Sequence, residues 1–122
     1  MVVSFLSFDN EMNKTSFQSK AMQKGNEILF EDKSSIDTKI KITILENSLI
    51  LERFGFIEMI LHFCLDEYTR GTYRNKDGLE FDFEIYTKSL AIEKNKLKVS
   101  YDMLKDKEII NTFTFQVVLF QA

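Results

Sequence analysis

The sequence predicts an all-β protein, a single antiparallel meander of about eight to ten strands closed into a barrel. Three observations carry this. Apolar and polar residues alternate with a period of two over several segments. Turn-forming clusters punctuate the chain at short intervals, as a meander requires. Finally, twelve Phe and no Pro suit a pleated surface with uninterrupted ladders. Closure into a barrel is expected because strands this apolar, left with open edges, would pair between molecules.

Taken in order, strands fit Val2 to Phe8, Lys14 to Met22 and Ile28 to Glu31, with Lys24-Gly25-Asn26 as the turn between the last two. From Thr38 to Ile44 the pattern is regular. Ile40, Ile42 and Ile44 share one face, and Lys39, Lys41 and Thr43 the other. Glu46-Asn47 then turns the chain into Ser48 to Phe54, where Arg53 continues the face of Leu49 and Leu51. Gly55 precedes Ile57 to Leu65, whose apolar face is Met59, Leu61, Phe63 and Leu65, opposite Glu58, His62 and Cys64.

Glu67 to Arg74 leads to Lys76-Asp77-Gly78, the strongest hairpin signal, since Asp and Gly tolerate positive φ. From Leu79 to Ile85, Leu79, Phe81, Phe83 and Ile85 face inward and Glu80, Asp82 and Glu84 outward. A helix would scatter those carboxylates around its circumference. Lys94-Asn95-Lys96 opens Leu97 to Met103, with Leu97, Val99, Tyr101 and Met103 inward and Lys98, Ser100 and Asp102 outward. Lys105-Asp106-Lys107 turns into Ile109 to Phe120, where Phe113, Phe115, Val117 and Leu119 are in phase.

The 122 residues suffice for one domain with one core, expected to span residues 1–122, and no linker or repeat divides them. A net charge of −3 argues against a nucleic-acid binder that neutralises phosphates with a basic face. Charges interrupt every apolar run, so no membrane-spanning helix is expected. Cys64 is the only cysteine and the first residues lack a secretory pattern, which points to the cytoplasm.

The stretch T-R-G-T-Y-R-N-K-D-G from Thr69 to Gly78, followed by I-Y-T-K-S-L from Ile85 to Leu90, resembles the uncharacterised YwiB-like proteins of Firmicutes. Thr69, Gly71, Tyr73, Tyr86, Thr87, Lys88 and Leu90 fall on that family's T-x-G-x-Y and V-Y-T-K-x-L positions. The hairpin from Ile42 to Gly55, with Arg53 two residues before Gly55, is similar too. Lys76-Asp77-Gly78 departs from the family's Pro-Tyr-Gly turn. The resemblance implies a calycin-type, lipocalin-like barrel of unknown function and brings no catalytic residues.

Candidate chemistry is sparse, and no enzymatic activity or cofactor is expected. His62 and Cys64 share a face, but two ligands fall short of the four of a structural zinc site. As a nucleophile and base they would also need an electropositive cleft and an oxyanion hole, which nothing in the sequence predicts. Asp82 and Glu84 face solvent, where carboxylates stay near their ordinary pKa. The four glycines Gly25, Gly55, Gly71 and Gly78 are scattered and form no phosphate loop.

An inward Arg53 is more informative, because a buried guanidinium demands a carboxylate, a phenol, water or a bound anion as partner. With Tyr73 and Tyr101 it forms a candidate ligand-binding set for a small apolar or anionic ligand inside the barrel. The alternative is a protein-interaction module or homodimer, using the face of Ile60, His62 and Cys64 or that of Ile110, Val118 and Phe120. A hollow interior with convergent polar groups favours the first reading. A filled interior beneath an apolar outer patch favours the second.

Overall fold

The computed structural model describes residues 1–121. Ten strands follow one another: β1 (Val2–Asp9), β2 (Lys14–Lys24), β3 (Glu27–Glu31), β4 (Thr38–Ile44), β5 (Ser48–Gly55), β6 (Ile57–Cys64), β7 (Tyr68–Asn75), β8 (Glu80–Ile92), β9 (Lys96–Lys105) and β10 (Glu108–Phe120). Each pairs antiparallel with its neighbours in sequence, and β1 pairs with β10 from Val2↔Phe120 to Asp9↔Phe113, so the sheet closes as a barrel. That closure removes the open edges that strands of this composition would otherwise present. Among the described residues no helix is long and apolar enough to cross a membrane.

Alternation sets the core. Ile40, Ile42, Leu49, Phe63, Ile85 and Val99 are fully buried inside, while their sequence neighbours Lys39, Glu84 and Lys98 stay exposed. The inward aromatic rings meet both along the sheet and across the interior. Phe5 stacks on its cross-strand partner Phe17 with centroids 5.1 Å apart, and Phe63 on β6 reaches across to Phe115 at 5.4 Å and Tyr101 at 4.8 Å. Such pairs contribute roughly 0.5–1.5 kcal/mol each beyond their burial. Gly71 makes room for this packing, because a Cβ there would lie 2.3 Å from the Phe83 ring.

Turn chemistry matches the predicted punctuation. Asp106 and Lys107 both carry positive φ (52° and 68°) between the paired Lys105 and Glu108, the two-residue hairpin whose twist suits the flanking strands. At Gly55 the requirement is absolute: φ is 122° and a Cβ would sit 2.0 Å from the Asp37 carbonyl oxygen.

The structure corrects the alternation at a few strand ends. Leu79 lies before β8 and is 53% exposed, and Leu65 lies beyond β6, where only an isolated bridge to Thr87 follows the β5–β6 ladder, and is 46% exposed. Strand β8 runs on to Ile92 through a register shift between Thr87 and Ser89, so the inward set continues as Thr87 and Leu90, three residues apart. A bulge of this kind resets the parity and hides the strand from a period-two reading. Asp102 faces outward as expected yet is buried, covered by Lys88 at 3.1 Å and hydrogen-bonded by the Thr112 hydroxyl at 2.9 Å.

Candidate functional site

Arg53 does point inward, between Ile40 on β4 and Met59 on β6. Its partner is Asp32, the first residue of the loop joining β3 to β4. The loop folds back so that the Asp32 N–H donates to the Thr38 carbonyl at 2.9 Å. One Asp32 carboxylate oxygen accepts the Ser34 N–H at 2.9 Å and the Ser34 hydroxyl. The other lies 3.5 Å from Arg53 Nε. The Asp32 side chain is fully buried and that of Arg53 is 23% exposed, so the guanidinium charge is answered from within the chain. Neither Arg53 Nε nor the facing oxygen Oδ2 has a hydrogen-bond partner among the described residues.

Tyr73 lies one strand beyond Met59, half-buried, stacked on Phe81 at 5.1 Å with its hydroxyl 3.5 Å from Asn75 Nδ2. Arg53, Met59, Tyr73 and Phe81 thus form one inward row near an end of the barrel. Tyr101 stands apart on β9, buried against Phe63 and stacked on Phe113 at 5.3 Å. Burial pushes its phenol well above the ordinary range, and the charge on Arg53 opposes that shift.

Much of the interior is closely packed: Val3, Ile28, Ile42, Leu49, Phe63 and Val117 have no accessible surface. Toward Arg53 the row is more open, with the Arg53 side chain 23% exposed and Met59, Tyr73 and Phe81 half-buried. Two recesses among the described residues are open grooves. One of about 350 Å³ runs over Glu52, Glu58, Ile60, Thr72 and Arg74, with Arg53 and Tyr73 bordering it from strands whose pleat sends their side chains the other way. Another of about 630 Å³ lies between Arg70, Glu84 and the β9–β10 turn at Lys105 and Lys107.

His62 and Cys64 sit on the outer face of β6 and are partly exposed. A hydrogen bond and the charge of Glu67, together with burial, push the Cys64 thiol up, the reverse of what thiolate chemistry needs. Among the described residues no three His, Cys, Asp or Glu side chains gather into a metal site. Asp82 and Glu84 are exposed as expected, with Asp82 bound by Arg70 at 3.3 Å.

Barrel closure assembles one surface that lies at opposite ends of the sequence. On the outer faces of β1 and β10, Val2 is opposite Phe120, Ser4 opposite Val118, Leu6 opposite Gln116 and Phe8 opposite Thr114. None carries a charge. The strands on either side supply lysines: Lys96 and Lys98 on β9 are opposite Val118 and Gln116, and Lys20 and Lys14 on β2 are opposite Val2 and Phe8. All four lysines are exposed, and none makes an ion pair among the described residues. Of the two patches foreseen, this one takes in Val118 and Phe120, whereas Ile110, 55% exposed, falls outside it.

Residues 6–117 match the family described as Domain of unknown function (DUF1934). The crystal structure of the ywiB protein from Bacillus subtilis shares the fold, with a TM-score of 0.63 and 18% identity over 95% of this chain and 85% of that one. No curated protein matches the chain.

Proposed function

Since the chain belongs to the DUF1934 family, whose description assigns no activity, we propose from the geometry that it is a non-enzymatic binding module that presents its outer face to another macromolecule. The supporting observation is a closely packed aromatic and aliphatic core beneath an uncharged strip on β1 and β10. An interior ligand would have to displace stacked Phe rings and break the Arg53–Asp32 pair. An outer partner has only to cover side chains already facing water.

The test is chemical crosslinking in extracts of the source cells, comparing the wild-type chain with a Leu6→Glu, Val118→Glu variant whose thermal melt is unchanged. Both positions face outward, so folding stability is expected to change by less than about 1 kcal/mol. A discrete crosslinked species present with the wild type and absent with the variant is the expected result. A species that persists undiminished in the variant, or none from either chain, contradicts the proposal.

A further inference from the structure

We propose that the β1–β10 seam docks an acidic amphipathic helix of a partner protein, with the helix's apolar face on the uncharged strip and its carboxylates on the flanking lysines. This rests on the outer-face reading above and names the occupant.

Charge comes first. The chain is acidic overall, with a net charge of −3, yet the outward residues of β2 from Lys14 to Met22, β1, β10 from Thr114 onward and β9 from Lys96 to Ser100 include no Asp or Glu. The next outward acid on β9, Asp102, is already held by Lys88 and Thr112. On β3 to β7, by contrast, cations and carboxylates neutralise one another, as in Lys41 with Glu27 and Glu52 and Arg74 with Glu58. Four uncompensated cations around an uncharged strip complement an anionic partner.

A second copy of this chain does not fit. Two-fold docking of the seam on itself brings each lysine-bearing strand against a lysine-bearing strand, because neither flank carries an acid. A nucleic acid fits poorly as well, since the face carries no arginine and offers phosphates nothing across its centre. A bilayer fits less well too: Phe8 and Phe120 are exposed at opposite ends of the strip, but Leu6 and Val118 between them are half-buried among their neighbours, which leaves no continuous protruding apolar face to insert.

The dimensions suit a helix. Strands β9 and β2 are three strand spacings apart, about 14 Å, and a helix with its side chains is roughly 10–12 Å across. A helix laid along the strip therefore puts acidic residues on both shoulders within reach of flexible lysine side chains. Its apolar stripe meets Leu6, Phe8, Val118 and Phe120, the recognition mode in which an amphipathic helix lies on an apolar surface.

The experiment is an NMR titration of the isotope-labelled full chain with a synthetic helical peptide bearing leucines along one face and glutamates on both shoulders. Shift changes confined to β9, β10, β1 and β2 are expected, weakening as salt is raised. Lys96→Glu with Lys98→Glu, and separately Lys14→Glu with Lys20→Glu, should each weaken binding by about tenfold or more, provided their melts match the wild type. Lys76→Glu, in the β7–β8 turn, should leave binding unchanged.

No shifts at millimolar peptide, shifts elsewhere, or binding indifferent to the lysine reversals overturns the proposal. So does binding to phosphatidylglycerol–phosphatidylcholine vesicles or to a single-stranded oligonucleotide that the reversals abolish while the peptide stays unbound. Seam-dependent crosslinking without peptide binding overturns the helical occupant and leaves the outer-face reading standing.

Discussion

Asp32→Asn isolates the charge inside the barrel. In the wild type one carboxylate oxygen holds Ser34 and the other faces Arg53 Nε at 3.5 Å. An amide has a single carbonyl oxygen, so it serves Ser34 or Arg53 but not both, and the guanidinium loses its countercharge. At that separation the attraction is about 5 kcal/mol for an effective dielectric of 20, and removing one partner of a buried pair typically costs roughly 3–5 kcal/mol. The Arg53 side chain is 23% exposed and can swing its head toward water, which reduces the expected loss to about 2 kcal/mol. For a domain of this size that lowers Tm by roughly 6–10 °C.

Urea and thermal denaturation of the wild type, Asp32→Asn, Arg53→Met and the double variant provide the assay. The double variant should recover to within about 1 kcal/mol of the wild type, because an apolar side chain then replaces a paired charge and Asn still anchors Ser34. An Asp32→Asn protein within about 0.5 kcal/mol of the wild type, or single losses that simply add in the double variant, would refute the reasoning.

Other outcomes follow from the same geometry. Gly71→Ala places a Cβ against the Phe83 ring and should cost roughly 1–3 kcal/mol in urea denaturation, with Phe83→Leu restoring part of the loss. Because burial raises the Tyr101 phenol above the ordinary tyrosine value of about 10, its contribution is complete below that pH and is lost as pH rises through the folded value. Tyr101→Phe should therefore lessen alkaline destabilisation, as followed by melting temperature against pH. The side chain of Asn13, helped by the backbone N–H groups of Asn13 and Glu11, holds the Asp9 carboxyl below its ordinary range. Its contribution is present above the unfolded pKa and lost as pH falls through the folded one. Amide protection factors in the β1–β2 hairpin, corrected for the intrinsic exchange rate at each pH, should then fall on acidification, and Asp9→Ala should remove that dependence.

Four strands, at Thr38 to Ile44, Leu79 to Ile85, Leu97 to Met103 and Ile109 to Phe120, were legible from clear alternation and the other six from less regular runs between turn signals, and the turns at Asp77-Gly78 and Lys105-Asp106-Lys107 fall where their residue types allow. What failed was local. The bulge after Thr87 breaks the parity by which the rest of β8 would be recognised, and Leu79 and Leu65 match the alternation but lie outside the strand ladders that bury their neighbours. That Arg53 faces inward and needs a counter-group could be argued from Leu49 and Leu51. That the counter-group is Asp32 could not, since a loop residue carries no periodicity. The lysine-flanked seam was equally hidden. Val2 and Phe120 become neighbours only when the first strand pairs with the last, and no local pattern records that contact.

A protein that binds through its outer face should carry nothing inside its barrel. Native mass spectrometry of freshly purified protein checks this, under conditions that preserve complexes and then under denaturing ones. The folded chain is expected to carry no small-molecule mass beyond its own 14.4 kDa. A reproducible extra mass that leaves on denaturation, and that Arg53→Ala diminishes, would contradict it and return the function to the interior.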